Sequence, residues 1–316
     1  MKILVTGGAG FIGFHTSKAL LEQGREVVIV DNFNDYYNPK IKEARVAQLA
    51  GAKVVRQDFS DLEAMKQLFA QENFDKVCHL GAQAGVRYSL TNPYAYLQSN
   101  SLGTLVMLEC CKHYNVPQIV LASSSSVYGM NTKMPFSEDD SVNTPMSIYG
   151  ETKRTNELQA FAYHHLYGLK CTCLRFFSVY GEFNRPDLAA LKFTKAILAD
   201  QPIDVYNNGN MKRDWTYVGD VVQGIIAALN TPFEYEIINL GNNKTIELNY
   251  FISLIEKELG KIAVKNYLPM QPGDVPVSWA DISKAKKLLN WEPKVSIEEG
   301  VHRLMKWVKE NLVLLE

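Results

Sequence analysis

The sequence predicts an α/β protein built on a doubly wound parallel sheet with a smaller C-terminal substrate-binding lobe. Three observations carry that prediction. Ile3, Leu4 and Val5 form a short apolar run without alternation, as a parallel strand buried on both faces requires. Gly7, Gly10 and Gly13 follow at G-x-x-G-x-x-G spacing, and from Phe11 and Ile12 onward the apolar residues take helical spacing until Gly24. A second apolar run, 27–30, then ends in Asp31, near the roughly 20-residue offset at which a ribose-binding acid stands in a Rossmann-type unit.

Strand, glycine turn and helix in that order bring free backbone N–H groups and the positive end of a helix dipole to one point. That point suits a pyrophosphate, so Gly7, Gly10, Phe11, Ile12 and Gly13 are expected to bind a dinucleotide. A carboxylate at Asp31 accepts the hydroxyls of an adenosine ribose and repels a 2′-phosphate. Asn32 and Phe33, with no arginine beside them, also favour NAD over NADP.

The bulk numbers exclude several classes. At 316 residues there is room for one large α/β unit or two lobes, and 47% hydrophobic with 21% charged residues describes an ordinary globular protein. A formal net charge of −1 gives no hint of nucleic acid or an anionic membrane as partner, so an anionic ligand must be met by local arginines and helix ends. The first apolar segment is the cofactor strand rather than a signal peptide, and no apolar run approaches the roughly 20 residues that span a bilayer. Five cysteines without a C-x-x-C pair, and six histidines away from acid or cysteine clusters, predict reduced thiols and no metal site. A cytoplasmic location is expected.

Along the chain, a polar, aromatic loop at 32–39 leads into a helix at 39–49. Strand and helix then repeat at 53–56, 61–71 and 75–80. Asp58 and Phe59 follow the third strand at the carboxyl edge of the sheet, where an adenine could lie; a turn before the next helix accounts for Asp58 equally well. Small residues at 79–87, Ala82 beside Gln83 among them, let the middle of the cofactor cross the strand ends. A long helix at 93–113 carries Asn100, assigned with them to the cofactor side. The fifth strand, 116–123, runs into Ser123, Ser124, Ser125 and Ser126. Hydroxyls at the end of a buried strand read as a site rather than a solvated loop.

Tyr149 and Lys153 stand at i and i+4 of a helix running to 167, so their side chains leave one face. A phenol is a poor base at neutral pH, its reference pKa being about 10. A lysine ammonium one turn away, with the positive nicotinamide ring, would bring it towards working pH.

At this point the chain resembles the extended short-chain dehydrogenase/reductase family over nearly its whole length, on 6–13 (Thr-Gly-Gly-Ala-Gly-Phe-Ile-Gly), Ser124, Tyr149 and Lys153. Within it, 31–37, 82–89 and 211–217 are most similar to nucleotide-sugar 4-epimerases, and among those to UDP-glucuronate 4-epimerases. The resemblance implies Tyr149 as catalytic base and acid, Lys153 on the nicotinamide ribose, and Ser124 with Ser126 on the sugar 4-hydroxyl. It gives Arg213 the substrate diphosphate or uridine and Asp274 the uridine ribose, and Arg87 lies in one of the matching stretches. Related dehydratases and decarboxylases carry a glutamate before Val-Tyr-Gly; here that position is Ser126, which argues against elimination. Arg185, with Ser178, is expected to hold a hexuronate carboxylate; a local pair of Arg185 with Asp187 is the competing reading.

The expected reaction is NAD-dependent 4-epimerisation of UDP-glucuronate to UDP-galacturonate. A UDP-hexose or UDP-N-acetylhexosamine 4-epimerase, a UDP-sugar decarboxylase or dehydratase, and a non-catalytic NAD sensor stand as alternatives. The family pattern Gly-Pro-Trp-Gly before Arg185 is replaced by Gly181, Glu182, Phe183 and Asn184, which leaves the exact sugar open. The expected lobes are 1–177 plus 213–239 for NAD and 178–212 plus 240–316 for the nucleotide sugar. The resemblance also implies a homodimer through helices near 102–108 and 158–166.

Overall fold

The computed structural model describes residues 1–314. Its central sheet has seven parallel strands: β1 (Lys2–Thr6), β2 (Glu26–Asp31), β3 (Lys53–Arg56), β4 (Lys76–His79), β5 (Gln118–Ser124), β6 (Lys170–Phe176) and β7 (Tyr235–Leu240). They lie in the order β7-β6-β5-β4-β1-β2-β3. The order reverses between β1 and β4, where Thr6 pairs with His79. A crevice opens there at the carboxyl ends, the place such sheets bind ligands.

Both faces of the sheet are covered, which explains the unbroken apolar runs. Ile3, Val5, Val27, Ile29 and Val120 point to one side and pack with helices α1 (Phe11–Glu22) and α5 (Val218–Asn230). Leu4, Val28, Val30, Val77 and Ile119 point to the other, towards α2 (Leu62–Glu72), α3 (Gly103–His113) and α4 (Ile148–Tyr167). Cys78, Cys110, Cys111, Cys171 and Cys173 are all free and buried. No helix among the described residues is long and apolar enough to cross a membrane.

The helix expected over 93–113 is three segments: Pro93–Tyr96, a wide π-type turn Leu97–Leu102, and α3. The wide turn carries Asn100, whose amide is spent inside the protein, as described below. The helix expected over 39–49 forms over Lys40–Val46 only, followed by turns. The helix Leu248–Leu259 escaped the sequence reading, although Leu248, Phe251, Ile252 and Ile255 have amphipathic spacing and are buried.

Outside the central sheet, Ser178–Tyr180 pairs with Trp215–Tyr217, and Ile203–Tyr206 pairs with Lys265–Leu268. Asp214, fully buried, joins this region to β7: its carboxylate accepts from the Asn243 and Ala280 amides at 3.1 and 3.0 Å and from the Thr216 hydroxyl at 2.8 Å. Burial pushes that carboxyl up to about 6 against those bonds.

Candidate active site

The glycine turn forms a cradle that no side chain could share. Gly7 has φ +66°, and a Cβ there would lie 2.7 Å from the Cα of Gly81. A Cβ on Gly13 would come within 2.0 Å of the Gly7 carbonyl oxygen. Gly10 stands at the N-cap of α1 with no side-chain hydrogen bond, so the first-turn N–H groups face the crevice without a side-chain acceptor. The residues present therefore fit a pyrophosphate.

Asp31, Asn32 and Asp58 line the edge beyond β2 and β3. The Asn32 amide donates to Asp58 at 2.9 Å, and the Ser60 amide and hydroxyl hold the other Asp58 oxygen at 2.8 and 2.7 Å. Burial raises the Asp58 carboxyl, and these bonds outweigh it, so the net shift is downward. Asp31 is not a bare acid: its Oδ1 accepts from the Phe33 amide at 2.9 Å and from buried Lys42 at 3.2 Å. The sequence reading gave Lys42 no role, since its contact with Asp31 joins a helix to the end of β2. Phe59 turns its ring inward, filling the space over Gly81 and Gly103, so only its backbone remains for an adenine. Asn100 is likewise buried; its side chain accepts from the Gln83 amide at 2.8 Å and donates to the Gln83 carbonyl and Thr152 hydroxyl, both at 3.0 Å. It acts on the site by fixing Gln83, beside Ala82, and the helix of Tyr149.

Ser147 caps α4 by accepting from the Gly150 amide at 3.1 Å. A Cβ on Gly150 would stand 2.6 Å from the Ser126 carbonyl oxygen, so glycine there seats the helix start directly on the serine turn. Ser124 Oγ accepts from the Ser126 amide at 3.1 Å, which leaves its own proton free. Lys153 is buried and donates to the Ala122 carbonyl at 2.8 Å; burial pushes its ammonium down to about 8. Burial also pushes the Tyr149 phenol up, with the Ser124 hydroxyl and the Arg185 guanidinium pulling it down. The Lys153 ammonium is turned to the end of β5, while Ser124 and Arg185 pull the phenol down.

Ser126, Ser178, Arg213 and Asp274 meet in a cleft of about 180 Å³ with Val86 and Ser278. Arg87 reaches this cleft from the segment after β4, donating to Asp274 at 3.3 Å and stacking 4.5 Å from the Tyr206 ring centroid. Arg213 donates to the carbonyls of Lys212 and Pro276 at 3.1 Å. Arg185 stands at the other end, beside the tyrosines Tyr36, Tyr88, Tyr96 and Tyr149, whose neighbouring rings lie 4.9, 6.2 and 6.1 Å apart. The competing reading of Arg185 is realised: its Nε donates to Asp187 at 3.0 Å and its Nη2 to the other oxygen. Glu182 does not face the sugar end; its carboxylate accepts from the Tyr217 hydroxyl at 2.8 Å.

The family model described as GDP-mannose 4,6 dehydratase matches residues 4–304. The chain belongs to that family, the extended short-chain dehydrogenases/reductases. A UDP-glucuronate 4-epimerase of Thermodesulfobacterium geofontis is 46% identical, the match covering 99% of this chain and 98% of that protein. Among solved structures, UDP-glucuronic acid 4-epimerase from Bacillus cereus, in complex with UDP-glucuronic acid and NAD, is similar at a TM-score of 0.92 and 36% identity, covering 98% of this chain and 99% of that one. UDP-glucose 4-epimerase from Thermotoga maritima, with UDP-glucose, also superimposes at 0.92, with 33% identity, 99% of this chain and 100% of that one.

Proposed function

We propose that the protein is a UDP-hexuronate 4-epimerase that converts UDP-glucuronate to UDP-galacturonate. Its cofactor is NAD, which when bound accepts the C4 hydride and gives it back. Tyr149 takes the proton of the sugar 4-hydroxyl and returns it after the 4-keto sugar has turned over. Ser124 and Ser126 hold that oxygen, and Lys153 holds the nicotinamide ribose. Arg87 and Arg213 meet the diphosphate, and Asp274 the uridine ribose. Gly7, Gly10, Phe11, Ile12 and Gly13 receive the cofactor pyrophosphate, with Asp31, Asn32 and Asp58 at its adenosine end.

One observation carries the uronate reading. Arg185 stands 5.8 Å from the Tyr36 ring centroid, at the head of the tyrosine row that ends on Tyr149, and its Nη1 makes no hydrogen bond among the described residues. A carboxylate at C6 would meet that nitrogen. Holding the carboxylate matters because a 4-keto uronate is a β-keto acid, which loses carbon dioxide when the breaking bond aligns with the carbonyl. The pairing of Arg185 with Asp187 favours a second reading, a neutral UDP-hexose, since part of the charge is already balanced. Arg185→Ala separates them: a loss of about tenfold or more in kcat/KM for UDP-glucuronate, with UDP-glucose turnover little changed, supports the uronate reading.

The same reading divides the chain into an NAD lobe, 1–177 plus 213–239, and a nucleotide-sugar lobe, 178–212 plus 240–316. It also makes the protein a homodimer. Leu97, Leu102, Leu158, Phe161 and Leu166 are exposed on the helical segments around α3 and α4, an apolar face suited to a second copy.

A further inference from the structure

Arg45, on the helix Lys40–Val46, is 0% exposed and forms no ion pair among the described residues. Three other cations beside the sheet have acids: Arg175 has Glu157, Arg185 has Asp187, Lys42 has Asp31. Arg45 instead donates from Nη1 to the Ala9 carbonyl and the Tyr37 hydroxyl, both at 2.9 Å. Its Nη2 donates to the carbonyls of Phe183 at 2.7 Å and Asn184 at 3.4 Å, and its Nε has no partner. An unpaired buried cation costs several kcal/mol unless a counter-charge arrives.

Its surroundings say where that charge comes from. Ala9 lies within the glycine cradle, and Phe183 and Asn184 immediately precede Arg185. The field of Asp31 favours the charged form of Arg45, but Lys42 already occupies that carboxylate, so two cations share one acid beside the cradle. We propose that Arg45 is a positioning residue whose uncompensated charge completes the anion site for the cofactor pyrophosphate while its fork ties the glycine turn to the segment bearing Arg185. The charge acts on the phosphates across the turn that holds Ala9, and the fork fixes that turn, which presents the N–H groups.

The test is calorimetric titration of the full-length protein, freed of nucleotide, with NAD, ADP and adenosine. In Arg45→Met, affinity for NAD and ADP falls about tenfold or more, whereas adenosine, which has no phosphate, stays within about twofold. The rise in Tm on adding NAD shrinks as well. Equal losses for ADP and adenosine, or no loss for either, would overturn the proposal. Should Arg45→Met not fold, Arg45→Lys decides: the retained charge keeps ADP affinity within about threefold of wild type, and a parallel loss of ADP and adenosine affinity is the contrary result.

Discussion

Arg185 and Asp187 form a two-pronged pair in which Nε and Nη2 of the guanidinium meet separate carboxylate oxygens, and the Tyr36 hydroxyl adds a bond to one of them at 3.3 Å. The pair fixes the plane of the guanidinium and leaves Nη1 as the nitrogen that can meet a substrate. Asp187 is itself held low: burial raises it, and Arg185 more than offsets that. The two residues thus trade attraction for aim.

Asp187→Asn keeps the shape and removes the counter-charge. The KM for UDP-glucuronate is expected to fall several-fold while that for UDP-glucose stays within about twofold. Steady-state kinetics on both sugars check this, and equal movement of both KM values would contradict it.

Tyr149→Phe removes the phenol that meets the Ser124 hydroxyl and leaves the cradle intact. Turnover should fall at least about a thousandfold, as expected for loss of a general acid–base group, with NAD still bound to the purified protein. Near-normal turnover, or loss of NAD, would contradict the assignment.

His79 is buried between the Thr6 and Thr104 hydroxyls at 2.7 and 3.1 Å, and burial pushes its imidazole down to about 3. Its folded pKa lies below the unfolded value, so the unfolded chain binds the extra proton. Stability is therefore lost as pH falls from about 6.5 toward 3. Asp214 has the opposite sign: raised to about 6, it gains stability as pH falls through that value. Relative to wild type, His79→Gln should lower the slope of unfolding free energy against pH between 5 and 6 by about 1 kcal/mol per unit, leaving the opposite contribution of Asp214 uncovered. Denaturant unfolding at both pH values measures it, and an unchanged slope refutes it.

Phe161→Glu places a charge in the middle of the exposed apolar face and should convert a dimer to a monomer at micromolar concentration. Sedimentation of both proteins checks it; a wild-type monomer would remove the dimer from the account.

Much of the site is local and therefore readable. The cradle, Asp31, and the Tyr149–Lys153 pair all depend on spacings within one strand–turn–helix or one helical turn. What escaped depends on distant meetings. Tyr36, Tyr88 and Tyr96 line up only because the loop after β2 crosses the segment after β4, and no periodicity announces that. Arg45 and Lys42 carry no motif, yet both are buried, Arg45 against Ala9 of the cradle and Lys42 against Asp31. The π-type turn at Leu97–Leu102 leaves no mark on apolar spacing; Asn100 sits in it fully buried, paired with Gln83 and Thr152. The helix Leu248–Leu259 is different, since its spacing was there to be read.

The most direct measurement mixes the purified protein, without added NAD, with UDP-glucuronate and follows the sugar anomeric and H4 signals by proton NMR. The account predicts growth of a galacturonate pattern to an equilibrium mixture, with the uronate carbon retained. A pentose product, or no change with UDP-glucuronate while UDP-glucose is converted, would contradict it.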